Sequence, residues 1–372
     1  MTSALAKIKQ TGSEFVDREN FVAEYYGEKE MRWYQVAARN ETIHCLAMGI
    51  RRILIELPTG AGKTITIMAS LNHPDFKKAI GCTREKVRVL FVAHNHRLLT
   101  QAERTFLDDF GVELITQSVF SNIPDEVIKE GWDVTVIDEC HHEGAGTYQL
   151  KLESITSAPL IGLTATSTRA DNVLIKFEHI VSPISREQAV AEGYLSETNL
   201  FSVVVPPMKN RIEIVKQLID VYPQYMQGTL VFMKTKKEVE AVTIYLKDKG
   251  YTAIAVIDQK GQALDDVLDR FSRGEVQFLV SCNKLGEGID VKGCTTVIIG
   301  RTLASYPLLN QIIGRAARPD CPCFVFEMIN PFSKNNLDAT VVTGTPSTHK
   351  LVYHRGNSLK EMEFDYTSEL AA

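Results

Sequence analysis

Short apolar runs rich in β-branched residues alternate along this chain with stretches of helical periodicity, and the alternation occurs twice over. Strands separated by helices pair parallel, because a parallel neighbour is reached only by a crossover long enough to hold a helix. In the first half RRILIEL, VRVLFVAH, VELIT, DVTVIDE and LIGLTAT read as strands, with helices over residues 63–71 and 97–110. In the second half NLFSVVV, GTLVFM, TAIAVID, QFLVS and TTVIIG read as strands, with helices over 235–249, 263–271 and 308–317. EGYLSETNL and the Pro206–Pro207 pair read as connecting material. The pattern predicts an α/β protein with parallel sheets in two tandem domains, residues 31–200 and 201–332, behind a short helical lead-in over 1–30. Beyond Phe332 the chain turns polar, and residues 333–372 read as a small β appendage or tail.

The connection after RILIE is LPTGAGKT, from Leu57 through Pro58, Thr59, Gly60, Ala61, Gly62 and Lys63 to Thr64. Glycines there relieve a tight strand-to-helix turn. They also suit a phosphate cradle, in which backbone N–H groups face an anion, Lys63 reaches the β- and γ-phosphates, and the Thr64 hydroxyl ligates Mg²⁺. The strict form of that pattern has a glycine where Leu57 stands.

Further on, the apolar run VIDECHH ends in two adjacent carboxylates, Asp138 and Glu139. Such a strand end is either solvated or binds a cation. Downstream of a phosphate loop, Asp138 is expected to hold Mg²⁺, and Glu139 to orient and deprotonate the attacking water. In QIIGRAARP, Arg315 and Arg318 lie one helical turn apart and can point the same way. They are either a solvated helix face or a pair of arginines that stabilise charge at the γ-phosphate. GEGID, from Gly286 to Asp290, is a second glycine-rich turn ending in a carboxylate.

Composition narrows the partners. The chain has 372 residues, 44% hydrophobic and 23% charged, the balance of a globular protein, with no apolar run of the ~20 residues a membrane helix needs. The first residues lack the apolar centre of a signal peptide, so a cytoplasmic location is expected. The 7 cysteines are scattered without paired spacing, which argues against a disulfide framework. Cys140 with His141 and His142, and Cys321 with Cys323, lack zinc-ligand spacing, so no zinc is expected. Net charge is −5, so nucleic-acid binding would rest on a local stripe of cations rather than a basic surface.

GAGKT, DECH, TAT and QIIGRAAR, in that order, resemble the motifs of the superfamily 2 helicases of the DExH type, over roughly Arg32 to Pro319. FVAHNHRLLTQ, EGYLS and VIIGRTLASYPLLNQIIGRAARP are most similar to the group named after type III restriction subunits, which includes DNA-repair and phage recombination helicases. The resemblance implies two RecA-like domains and a motor driven by ATP with Mg²⁺. MRWYQVAA resembles the family's R-x-x-Q element, implying that Gln35 reads the adenine edge with Arg32 beside it. LTATSTRAD resembles motif III, so Thr164 and Thr166, with His141, would couple hydrolysis to domain movement. SCNKLGEGID resembles motif V, which adds Gly288 and Asp290 to the nucleotide site. TLVFMKTKKEVE resembles motif IV, and QIIGRAAR adds Gln311 to Arg315 and Arg318.

Strand contacts are expected from His94, Arg97, Thr116 and Gln117 in the first domain, and from Lys234, Thr235 and Lys284 in the second. The leading expectation is a monomeric ATP-dependent helicase or translocase in replication, recombination or repair, with DNA favoured over RNA by analogy. The alternatives are an RNA helicase or remodeller with the same engine, and a nucleic-acid clamp that ATP toggles without processive movement.

Overall fold

The computed structural model describes residues 14–93, 96–107, 111–118, 126–127, 130–138, 140, 158–165, 177–205, 210–259, 261–282, 291–301, 323–329, 348–355 and 358–363. The chain divides into two compact units, Met1–Gln188 and Ala189–Ala372.

The first unit opens on a two-stranded antiparallel hairpin, β1 (Glu24–Tyr26) and β2 (Lys29–Met31). From Glu14 to Met31, where a helical lead-in was expected, the described chain forms turns and this hairpin. The reason is local: Gly27 takes a left-handed φ of 60°, which turns the chain back after Tyr26. Arg39 Nη1 and Nη2 donate to the two Glu24 oxygens at 2.6 and 3.1 Å, which ties the hairpin to helix α1 (Trp33–Ala47).

Behind it lies a parallel sheet built from β3 (Arg52–Glu56), β4 (Val87–Ala93), β5 (Val112–Ser118), β6 (Val134–Asp138), β7 (Leu160–Thr164) and β8 (His179–Val181). The strand order is β5-β4-β6-β7-β3-β8. Helices α2 (Lys63–Leu71), α3 (Pro74–Ala79) and α4 (His96–Thr105) fill the first crossovers. The expected strands are all present. The helix expected over 97–110 ends at Thr105.

The second unit holds an eight-stranded sheet. Its strands are β9 (Thr198–Val204), β10 (Thr229–Phe232), β11 (Ala253–Val256), β12 (Phe278–Ser281), β13 (Thr296–Ile299), β14 (Cys323–Ile329), β15 (Thr348–Arg355) and β16 (Ser358–Glu363), in the order β11-β12-β10-β13-β14-β9-β15-β16. Helices Arg211–Val221, Lys236–Asp248 and Gln262–Ser272 accompany it. Both faces are covered. Leu230, Phe232, Val297 and Val325 pack into one core, while Val231, Ile298, Phe326 and Val280 pack into the other. A strand buried on both faces is apolar at every position, which is why GTLVFM shows no alternation.

The C-terminal stretch is a β structure, as expected, but it belongs to the second sheet. β15 pairs parallel with β9, and β16 closes the edge antiparallel. Val352 is fully buried in the core beneath them. On β9, Ser202 donates to Glu327 Oε1 at 2.6 Å and lies 2.9 Å from His349 Nε2, so a polar contact also holds β15 in place. No described helix is long and apolar enough to cross a membrane.

Candidate nucleotide site

The loop Leu57–Gly62 leaves the buried strand β3 and enters α2 at Lys63. Leu57 is fully buried, and its amide donates to the Thr164 carbonyl at 3.1 Å, extending the β3–β7 pairing by one residue. The position at which the phosphate-loop pattern has glycine is therefore a core position here, and a large apolar side chain is what fills it. The Ala61 amide donates to the Pro58 carbonyl at 3.0 Å, which closes the turn.

Gly60 and Gly62 both have φ of 88°, a left-handed conformation that side chains resist. At Gly62 a Cβ would also collide with Gln35 Nε2. Gly62 is the N-cap of α2 and provides no side-chain cap. The first amides of a helix have no intrahelical acceptor and carry the positive end of its dipole, so this turn is suited to an anion.

Helix α1 braces the loop. Tyr34 and Gln35 are buried, and both donate to the Ala61 carbonyl oxygen, Tyr34 Oη at 3.0 Å and Gln35 Nε2 at 2.9 Å. Gln35 Oε1 accepts from the Arg32 amide at 3.0 Å, and Arg32 Nη1 donates to Tyr34 Oη at 2.8 Å. Arg32 and Gln35, expected near an adenine, thus lie against the phosphate loop itself. Gln35 keeps one amide hydrogen and one lone pair beyond these bonds. The far end of α1 is held too: Glu41 Oε1 lies 2.7 Å from His179 Nε2 on β8. One turn on, burial and the nearby Glu41 carboxylate push the Cys45 thiol up to about 11, so it stays neutral.

Asp138 ends β6, with 5% of its surface exposed, and pairs in register with Leu163 of β7. Thr164, the next residue of β7, is paired with Glu56 at the end of β3 and is fully buried. The carboxylate and the phosphate loop therefore leave the same edge of the sheet, two strand spacings or about 10 Å apart. A buried carboxylate with a hydroxyl from the first turn of α2 is a hard-oxygen donor set that fits Mg²⁺. Cys140, beyond it, packs in the core with Trp132 and Ile137.

Of the expected strand contacts, Thr116 and Gln117 lie near the same end of β5, and the Thr116 hydroxyl donates to Glu103 Oε1 at 2.6 Å. Arg97 lies in α4. In the second unit Lys234 and Thr235 precede the helix Lys236–Asp248, whose N-cap is Thr235. His94, Glu139, His141, Thr166, Lys284, Gly288, Asp290, Gln311, Arg315 and Arg318 lie outside the described residues, as does the helix expected over 308–317. Tyr34 was not foreseen. A tyrosine beside a glutamine carries no motif, and only its hydroxyl in a fully buried position marks it.

Two families match the chain. The one described as type III restriction enzyme, res subunit, matches residues 28–119 and 112–169, and the helicase conserved C-terminal domain matches 210–320. The putative ATP-dependent helicase IRC3 of Saccharomyces cerevisiae is 24% identical over 93% of this chain and 58% of its own length. The type I restriction enzyme EcoAI endonuclease subunit of Escherichia coli is 24% identical over 80% of this chain and 45% of its own. The chain thus spans about half the length of these relatives. Among solved structures, a fragment of a putative HsdR subunit of a type I restriction enzyme from Vibrio vulnificus superposes with a TM-score of 0.66 at 21% identity, covering 87% of this chain and 68% of that one. Both units share the RecA-like fold of such neighbours.

Proposed function

Because the chain belongs to the superfamily 2 helicases, in the branch related to type III restriction subunits, we propose that it is a nucleic-acid-stimulated ATPase that moves along DNA. The observation that carries the proposal is an uncapped, glycine-shaped helix start at the same sheet edge as a buried carboxylate. Phosphoryl transfer asks a protein for positioning and charge more than for covalent chemistry. The Gly62 amide and the first turn of α2 would bind the phosphates, and Lys63 would neutralise their charge. Thr64 and Asp138 would hold Mg²⁺, which supplies positive charge to the β- and γ-phosphate oxygens. Glu139 would take the proton of the attacking water as its oxygen bonds to the γ-phosphorus and the bond to the bridging oxygen breaks. Arg315 and Arg318, with Gln311, Gly288 and Asp290, would come from the second unit and act on the charge that develops.

A strand gripped by His94, Arg97, Thr116 and Gln117 of one unit and by Lys234, Thr235 and Lys284 of the other would be moved as that grip alternates. Thr164, Thr166 and His141 would couple hydrolysis to the movement. DNA is favoured over RNA because the relatives include restriction enzymes, and a monomer is sufficient for the cycle. ATPase rates with saturating single-stranded DNA, duplex DNA and RNA test the reading, alongside strand displacement on forked substrates. DNA should stimulate most. A basal rate that no nucleic acid changes overturns the motor and favours neither strand. Affinity should also fall steeply as salt rises, since the contacts are to phosphates.

A further inference from the structure

We infer that Tyr34 is a positioning residue that aims the Gly62 amide into the phosphate cradle through the carbonyl of Ala61. The inference rests on the nucleotide reading above. Tyr34 has no exposed surface, and a hydroxyl so buried is costly unless hydrogen-bonded. It accepts from Arg32 Nη1 at 2.8 Å, which leaves its own hydrogen to go to the Ala61 oxygen at 3.0 Å. Gln35 Nε2 donates to that same oxygen at 2.9 Å. Two donors use both lone pairs of the carbonyl and fix its direction.

The consequence follows from peptide geometry. In a trans peptide the C=O of one residue and the N–H of the next point to opposite sides of the chain. Drawing the Ala61 carbonyl toward α1 therefore turns the Gly62 amide away from α1, into the turn at the start of α2. Gly62 is the residue at which this plane could otherwise flip, because glycine occupies left- and right-handed backbone with similar ease. The Ala61 amide, on the preceding peptide, is already held by the Pro58 carbonyl. The 61–62 peptide has no such backbone partner, and two side chains of α1 hold it through its carbonyl. If Gln35 turns part of its bonding to an adenine, Tyr34 is what keeps the carbonyl in place.

Binding of ATP and of inorganic tripolyphosphate to the full chain separates this role from others, with the thermal midpoint of the ligand-free protein measured alongside. Tyr34→Phe keeps the buried ring and removes only the hydroxyl. It should weaken ATP and tripolyphosphate by the same factor, roughly 2- to 10-fold, the loss of one hydrogen bond. Arg32→Met, which keeps an unbranched stem but removes the donor that directs the hydroxyl hydrogen, should give the same pattern at smaller size, and carries the test if the phenylalanine chain does not fold. A variant that binds tripolyphosphate like the parent overturns the inference, whether its midpoint drops (a purely structural role) or only its ATP affinity does (a base contact). A parent chain that binds neither ligand overturns the nucleotide reading itself, a result distinguishable from both.

Discussion

Each unit contains a buried strand that runs through a short connection into a helix, and the two helix starts are treated in opposite ways. In the first unit α2 begins at Gly62, left-handed and without a side-chain cap. In the second, the helix Lys236–Asp248 begins at Thr235 under a complete capping box. The Thr235 hydroxyl accepts from the Glu238 amide at 3.3 Å, and Glu238 Oε2 accepts from the amides of Lys234 and Thr235 at 2.9 and 2.8 Å. A helix start carries unbonded amides and a partial positive charge in either case. The second unit neutralises them with its own carboxylate, and the first provides no side-chain cap, which is what the proposed phosphate site requires. Similar topology therefore does not give the second connection the uncapped helix start of the first. Around Thr235, a nucleic-acid strand would find the exposed Lys234 side chain and the hydroxyl hydrogen of Thr235, with Glu238 close by.

The sharpest way to test this division of labour is through the charges each unit is proposed to supply. Lys63→Ala should weaken ATP binding and hydrolysis together, because it acts on bound phosphate. Arg318→Ala should slow turnover by about 10³-fold or more while ATP affinity changes little, as expected of an arginine finger. Glu139→Gln should follow Arg318→Ala in turnover. Steady-state rates and ATP affinities for the three variants decide it. Near-normal stimulated turnover in Arg318→Ala would remove the second unit from the chemistry.

The next effect concerns stability. A chain ending at Phe332 loses β15, and with it the pairing along β9, the fully buried Val352 and the contact between His349 and Ser202. Burial of the valine alone is worth about 1.5–3 kcal/mol. Calorimetry should show the second unit melting at lower temperature, with ATP binding by the first unit retained. An unchanged second transition would mean that β9 tolerates a bare edge.

Closing the open helix start should be a smaller change in stability but a specific one. Gly62→Ala imposes a left-handed alanine, costing about 1–2 kcal/mol, and displaces Gln35 from the loop. ATP affinity should drop about tenfold or more, with nucleic-acid binding in the absence of ATP unchanged. Equal losses in both would mean that the substitution disturbs the whole unit. The smallest effect is expected from the closed start: Thr235→Ala removes a cap worth about 1 kcal/mol and should lower the stability of the second unit without altering ATP affinity. A weaker ATP affinity in that variant would contradict the contrast between the two helices.

Much of this was legible in the sequence because it rests on local rules. The expected strands of the first half all form, and α2 runs over the residues expected, Lys63–Leu71, because each element's apolar run and its glycine boundaries are contiguous in the chain. Helix Arg211–Val221 and strand β14 were not anticipated, although both carry ordinary patterns, since neither touches a motif. Of the candidate site, the glycines, Lys63, Thr64 and Asp138 were proposed from spacing alone. Their chemistry requires those residue types in that order wherever the loop sits.

What only the tertiary structure decided are the partners that lie far apart in sequence. Leu57 departs from the phosphate-loop pattern, and its role follows from a bond to Thr164 on a neighbouring strand. Tyr34 acts on Ala61, 27 residues away, because α1 lies across the loop. The C-terminal hairpin is polar enough to pass for a tail, yet it completes a sheet whose edge strand, β9, would otherwise present unpaired backbone groups. In each case the deciding interaction is a hydrogen bond to a main-chain group or a sheet edge. Backbone is identical at every position, so side-chain identity signals what a residue can bond to and only the fold determines which backbone atom it meets.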